Sequence, residues 1–346
     1  MNVFDPNGEA VCPHTATCRE LRRKADGWGQ PSLPKRDRFL RWGTLLVAMS
    51  GMCVASAVEP LSEEMTVQAE KVLARQCPFE EQADVVYGTV DGFELKGDLY
   101  LPETGDGKRP GILVIHGGGW AGGDKSKFKK SAEKYAHMGF VVFNINYRLS
   151  GDAVAPAAVE DAKAALWFMA DHDDEWKMDT SRMVTTGGSA GSHLALMAAL
   201  CDDEAFGEPI EVAAVLNRSG VTDVYDLTYG DNPRVWAQKW LPPETPNGEE
   251  LARRLSPISY VSRETLPPVF TLHGAEDDIV PVEQAMRLHL ALKENGHSSE
   301  LYLIPFCGHG FGSKLKRFNE IYDGLSNEMD MQIAAFFIRS GVFKDN

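Results

Sequence analysis

The sequence predicts an α/β fold with a mostly parallel central sheet covered by helices on both faces. Three observations carry this. Short apolar runs alternate with stretches of helical periodicity along most of the chain. The runs are continuously apolar, as in Gly111-Ile112-Leu113-Val114-Ile115, which is the pattern of strands buried on both faces. Two of them end in glycine turns, His116-Gly117-Gly118-Gly119-Trp120 and Gly187-Gly188-Ser189-Ala190-Gly191. Sites of open α/β sheets sit at such carboxyl ends of strands.

The elements follow in order. A short helix is expected over 61–75, then strands near 84–90 and 95–101, with Asp91-Gly92 as the hairpin turn between them. A strand over 110–116 leads to a helix over 126–138 and the strand Phe140 to Asn146. Pro156 opens a helix with apolar residues at Ala157, Val159, Ala162, Ala165, Leu166 and Phe168, which is helical spacing. The strand Met183 to Thr186 runs into the serine turn, and Ala190 to Leu200 is a helix rich in Ala, Leu and Met. Glu211 to Leu216 reads as a strand. Residues 223–262 break the rhythm with Trp236, Trp240, Pro242 and Pro243 before a helix near 248–254. They read as a small lid-like insertion over the sheet. Alternation resumes with strand Val269 to Leu272, helix 281–295, strand Glu300 to Ile304 and helix 325–340.

With 346 residues, 43% hydrophobic and 25% charged, the chain has an ordinary globular composition and length enough for a large core. A net charge of -15 argues against nucleic acid or anionic membrane as partners held by bulk attraction. The first part reads differently. Lys35 to Arg41 is basic, Gly43 to Val54 is apolar and uncharged, and Ala55-Ser56-Ala57 is a small-x-small site. That is the layout of a secretory signal peptide near 35–57, behind a polar tail, with export to the periplasm or outside. The apolar run is shorter than the roughly 20 residues a spanning helix needs, so no stable membrane span is expected after cleavage. The fold is therefore expected to occupy 58–346. There Cys77, Cys201 and Cys307 allow at most one disulfide.

Gly187, Ser189 and Gly191 form a Gly-x-Ser-x-Gly pattern between a strand and a helix, the setting of a nucleophile pushed out on a sharp turn. The N–H of Ala190 opens that helix and points at the same place. The three glycines Gly117, Gly118 and Gly119 leave the backbone bare, so its N–H groups can approach a ligand closely, as a developing oxyanion needs. A serine hydroxyl needs a base. His309 is the choice, because it follows the last strand on a glycine-flanked loop. His116 and His273 lie at strand ends and read as loop supports; His193 reads as a packed helical residue. The cluster Asp171 to Glu175 around His172 reads as a solvated cap rather than a metal site. The carboxylate that orients the base is expected in His273-Gly274-Ala275-Glu276-Asp277-Asp278. Asp277 is preferred, with Asp278 and then Asp223 as alternatives.

These residues resemble α/β-hydrolases of the hormone-sensitive-lipase and carboxylesterase type. His116-Gly-Gly-Gly-Trp120 with Gly123-Asp124-Lys125 is especially similar to bacterial feruloyl and acetyl-xylan esterases. Asn146-Tyr147-Arg148-Leu149, Pro156 to Asp161 and Ser256 to Tyr260 also match, so the resemblance covers roughly 84–340. It implies the α/β-hydrolase fold and a serine esterase with Ser189, Asp277 and His309 as catalytic residues. Gly118, Gly119 and Ala190 would form the oxyanion hole, His116 would support the loop, and Trp120 is a candidate wall of the substrate pocket. No metal or organic cofactor is implied. The substrate would be a small ester or an acylated polysaccharide. An amidase or peptidase with the same triad, or a non-catalytic binding protein on this fold, are the alternatives. A helical cap has little room ahead of the first strand, so the lid must come partly from 223–262.

Overall fold

The apolar run Gly111–Ile115 is buried on both faces, and the sheet is laid out around it. The computed structural model describes residues 45–49, 52–56, 58, 60–103, 107–311 and 318–343. Helix α1 (Glu63–Leu73) starts where the Ser62 hydroxyl accepts from the Met65 N–H at 3.1 Å. Strands β1 (Phe79–Val90) and β2 (Phe93–Pro102) form the hairpin turned by Asp91-Gly92. Both turn residues have positive φ, 49° and 84°. Strand β3 (Arg109–Ile115) leads through the glycine loop and a 3₁₀ turn, Lys125–Phe128, to α2 (Lys129–Met138). Gly139, at φ 99°, ends that helix in the left-handed conformation. Then come β4 (Val141–Ile145), α3 (Ala157–Asp171), β5 (Met178–Gly187), α4 (Ala190–Leu200) and β6 (Ala214–Arg218).

The insertion is helical: α5 (Val224–Thr228), α6 (Val235–Trp240) and α7 (Gly248–Arg254). Strand β7 (Val269–Gly274), α8 (Val282–Glu294), β8 (Ser299–Ile304) and α9 (Phe318–Arg339) complete the body. The strand order from one edge is β1, β2, β4, β3, β5, β6, β7, β8. Pairs β1–β2 and β2–β4 are antiparallel and the others parallel. Helices α1, α2 and α9 pack on one face, where Ala69, Ala132 and Phe336 are buried. Helices α3, α4 and α8 cover the other with Ala162, Leu194 and Leu288. This is the α/β-hydrolase architecture expected from the sequence.

Three expectations shift. Strand β1 starts at Phe79, because Glu80, Glu81 and Gln82 lie exposed on an edge strand and carry no apolar signal. Strand β6 runs Ala214–Arg218 rather than Glu211 to Leu216. Its end is polar yet buried, since Asn217 donates to Thr271 Oγ1 at 3.1 Å and accepts from the Gly220 N–H at 3.0 Å. Helix α9 begins at Phe318, ahead of the expected 325. The backbone of Leu45–Met49 and Met52–Ser56 pairs as a hairpin, and Ser56 registers with Tyr302 of β8. The basic segment 35–41 and the tail before it lie outside the described residues. Among the described residues no helix is long and apolar enough to cross a membrane. Cys77, Cys201 and Cys307 are all free thiols.

Candidate active site

Strand β5 delivers Ser189 at a turn that only its glycines permit. A Cβ on Gly187 would lie 2.5 Å from the carbonyl oxygen of Ile115, and one on Gly191 only 2.1 Å from it. With both neighbours reduced to hydrogen, β3 and β5 approach closely enough to swing the backbone at Ser189 to φ 56°, ψ -123°. Its N–H donates to the Arg218 carbonyl at 2.9 Å, which pins the turn to the end of β6. Helix α4 follows at once, and every residue in it is buried. Its apolar packing holds the turn rigid.

His309 and Asp277 meet across the ends of β7 and β8. His309 Nδ1 donates to Asp277 Oδ2 at 2.8 Å, which leaves Nε2 free to accept a proton. The other carboxylate oxygen, Oδ1, accepts from the N–H groups of Ile279 and Val280, both at 3.0 Å. Burial alone would raise the Asp277 carboxyl. Hydrogen bonds from His273 and His309 outweigh it and hold the group well below the usual carboxylate range. Asp278 is exposed, and Asp223 is tied to Arg287 at 2.9 Å while capping α5. Neither reaches His309.

His273 does more than the loop support expected of it. Its Nε2 lies 3.0 Å from the Val280 carbonyl and 3.3 Å from Asp277 Oδ2, so Nε2 carries the proton and the same carboxylate oxygen receives two histidines. The signal was a histidine four residues before an acid on one tight loop, but spacing alone does not distinguish a partner from a neighbour.

The glycine loop crosses the top of β3. Gly118 has φ 134° and Gly119 φ 59°. No backbone hydrogen bond among the described residues uses the N–H of Gly118, Gly119 or Ala190. His116 is buried, donates from Nδ1 to the Gly117 carbonyl at 2.9 Å, and stacks on Tyr147 at 4.5 Å. Burial lowers its pKa, so it stays neutral and shapes the loop. A Cβ on Gly118 would lie 1.8 Å from the Gly122 carbonyl oxygen, and the φ there disfavours any L side chain. Gly118→Ala is therefore expected to lower both the melting temperature and ester turnover, by at least tenfold in kcat from one displaced donor.

Trp120 is a correction: it is not a pocket wall. Its φ of 56° turns the indole inward, where it is fully buried. There it stacks on Trp240 at 4.2 Å and donates from Nε1 to His193 Nδ1 at 3.2 Å. Trp236, on α6, faces the cavity instead and packs over Gly119. His193 Nε2 in turn donates to the Leu255 carbonyl at 2.7 Å, so one neutral imidazole ties α4 to the glycine loop and the insertion. Burial pushes its pKa down to about 4. Because an unfolded histidine titrates near 6.5, the unfolded chain binds more protons between these values. This stabilisation is present above pH ~6.5 and lost as pH falls toward 4, on the order of 2 kcal/mol. Urea unfolding at pH 7.5 and 5.0 should show that loss, with His289, also lowered to about 4, adding to it.

Arg148, Asp161, Ser256 and His172 are supports. Arg148 clamps Asp161 at 2.7 Å, tying the loop after β4 to α3. Ser256 accepts from the Val224 N–H at 2.8 Å and donates to Ala252 at 2.7 Å within the insertion. His172 donates to the Phe168 carbonyl at 2.8 Å, and Asp173 and Asp174 pair with Lys108. Among the described residues no cluster of His, Cys, Asp or Glu has the arrangement of a metal site.

Ser189, His309, Gly118 and Gly119 line one cavity of about 580 Å³, and Phe128, Trp236 and Phe311 make it aromatic. A hydroxyl, an oriented imidazole and bare N–H groups around one space can carry acyl transfer. Known proteins similar to this chain include esterases. The BD-FAE family model matches residues 97–292. The esterase LipQ of Mycobacterium tuberculosis is 30% identical over 242 residues, covering 67% of this chain and 57% of its own length. The isoprenylcysteine α-carbonyl methylesterase ICME of Arabidopsis thaliana is 27% identical over 284 residues, covering 78% of this chain and 64% of its own. The match thus spans about three fifths of the length of these curated relatives. The esterase Est2 of the planctomycete Thermogutta terrifontis, solved with propionate bound, superposes with a TM-score of 0.62 at 26% identity. That match covers 78% of this chain and 97% of Est2.

Proposed function

The chain belongs to the BD-FAE family, and from that premise we propose that it is a serine esterase acting through an acyl-enzyme. The observation that carries the reading is the convergence of Ser189, the His309–Asp277 pair and the glycine loop on one cavity. His309 Nε2 takes the proton as Ser189 Oγ bonds to the ester carbonyl carbon. The N–H groups of Gly118, Gly119 and Ala190 receive the oxyanion. Collapse breaks the C–O bond, and the alcohol leaves with the proton from His309. Water, deprotonated by His309, then attacks the acyl carbon; the acid is released and Ser189 recovers its proton. Asp277 holds the imidazole in the required tautomer and balances the imidazolium.

For substrate we propose short acyl esters, with acetylated or feruloylated polysaccharide as the natural source. The aromatic walls at Phe128, Trp236 and Phe311 suit a sugar or an aromatic acid. Est2 has been solved with propionate and with butyrate bound, which supports short acyl groups. A screen of p-nitrophenyl esters of rising length, feruloyl esters and acetylated xylan tests this; a preference for long chains would oppose it. A matched ester and amide pair separates an esterase from an amidase with the same triad. We also propose that residues 35–57 direct export, in which case the mature chain begins at Val58 and mass spectrometry of exported protein should find that terminus.

A further inference from the structure

We propose that the cavity takes an ester carrying a carboxylate close to the scissile carbonyl, held by Arg218, Lys127 and the Ser219 hydroxyl. This rests on the reading of Ser189 as an esterase nucleophile. The chain is strongly acidic, yet the described lining of the cavity holds two cations and no carboxylate. Several cations built into the fold elsewhere are paired with acids: Lys125 with Asp98 at 2.6 Å, Arg148 with Asp161 at 2.7 Å, Arg287 with Asp226 at 2.7 Å. Among the described residues neither Lys127 nor Arg218 has an acidic partner within 4.0 Å.

Both cations are rooted beside the candidate chemistry. The Arg218 carbonyl receives the Ser189 N–H, and its guanidinium lies 5.6 Å from the ring centre of Phe311, a wall of the cavity. The Tyr135 hydroxyl is a further neighbour of the Arg218 side chain. The Lys127 ammonium sits against the glycine loop, where a Cβ on Gly123 would come within 3.2 Å of it. The neighbouring acids are engaged elsewhere: Asp330 binds Lys134 at 2.5 Å, and Asp124 caps its own turn through the Ser126 N–H at 2.7 Å.

Ser219 is the independent observation. It is 2% exposed, lines the cavity, is held at φ 51°, and its hydroxyl has no partner among the described residues. A buried hydroxyl left unbonded is costly, and a ligand oxygen would satisfy it. Two cations and a hydroxyl donor suit a carboxylate, whose two oxygens accept several charge-assisted hydrogen bonds. A half-ester of a dicarboxylic acid or an ester on an acidic sugar has that chemistry.

The test uses two matched pairs. In mono-p-nitrophenyl glutarate against p-nitrophenyl valerate, a carboxylate replaces the terminal methyl of the acyl group. In 4-acetoxybenzoate against 4-acetoxybenzamide, the charge lies on the alcohol side. After subtraction of enzyme-free rates, the anionic member of at least one pair should have about tenfold or higher kcat/KM at low ionic strength, and added salt should shrink the ratio. Arg218→Gln and Lys127→Gln should each bring that ratio toward one; Lys127 is exposed, so its variant keeps the fold. Equal or faster turnover of the neutral member in both pairs overturns the proposal, as does a ratio that neither substitution moves. If no member is turned over and an organofluorophosphonate leaves Ser189 unlabelled, the esterase reading itself has failed, and the proposal falls with it.

Discussion

Replacing Ser189 by alanine is expected to lower p-nitrophenyl acetate turnover by on the order of 10⁶ in kcat, the scale of nucleophile loss in serine proteases. The substitution removes one oxygen and keeps the Cβ, so the strained turn at φ 56° and the packing of α4 behind it are unchanged. Thermal melting should match wild type. Two nearby hydroxyls offer no substitute. Ser192 Oγ is bonded to both the carbonyl and the N–H of Arg218, and Ser219 extends from the end of β6 rather than from the turn after β5. The glycine loop and the His309–Asp277 pair remain, so a small residual rate above water should persist.

Asp277→Asn is expected to cost about 10⁴ in kcat, by analogy with the chymotrypsin-type triad. The reason is the donor count around the carboxylate. Oδ1 accepts two backbone N–H groups, and Oδ2 accepts from His309 and His273. An amide offers one oxygen. Set against Ile279 and Val280, it leaves its NH₂ facing two imidazole N–H groups. His309 must then present an acceptor nitrogen to the amide, which leaves its other nitrogen a donor that cannot take the Ser189 proton. The exposed Asp278 provides the control: Asp278→Asn should stay within about twofold of wild type, as surface changes usually do. A loss of 10⁴ at Asp278 instead would show that the wrong carboxylate had been placed behind His309.

How much of this was legible in the sequence depended on how local each signal was. Gly187, Ser189 and Gly191 announce a turn between a buried strand and an apolar helix, and the close approach of Ile115 explains why those glycines stand there. The loop at His309 was readable because it follows a strand and is flanked by glycines. Three consecutive acids at 276–278 were harder. The loop turns Asp277 inward and its neighbours outward, a matter of backbone angles that spacing does not encode. Trp120 was misplaced because its partners, His193 and Trp240, are distant in sequence and meet it only when the insertion folds down. The start of β1 was missed because an exposed edge strand needs no apolar residues. The lone hydroxyl of Ser219 could not have been anticipated, since an unmet hydrogen bond exists only in three dimensions.

The central claim is that Ser189 is an activated nucleophile, and covalent labelling tests it most directly. Est2 has been solved phosphorylated by paraoxon. Folded full-length protein treated with an organofluorophosphonate should gain one adduct by intact mass. Peptide mapping should place it on Ser189, His309→Ala should slow its formation, and Ser189→Ala should remove it. An adduct mapped to Ser219 or another serine, or an unlabelled chain with undiminished ester turnover, would contradict the claim.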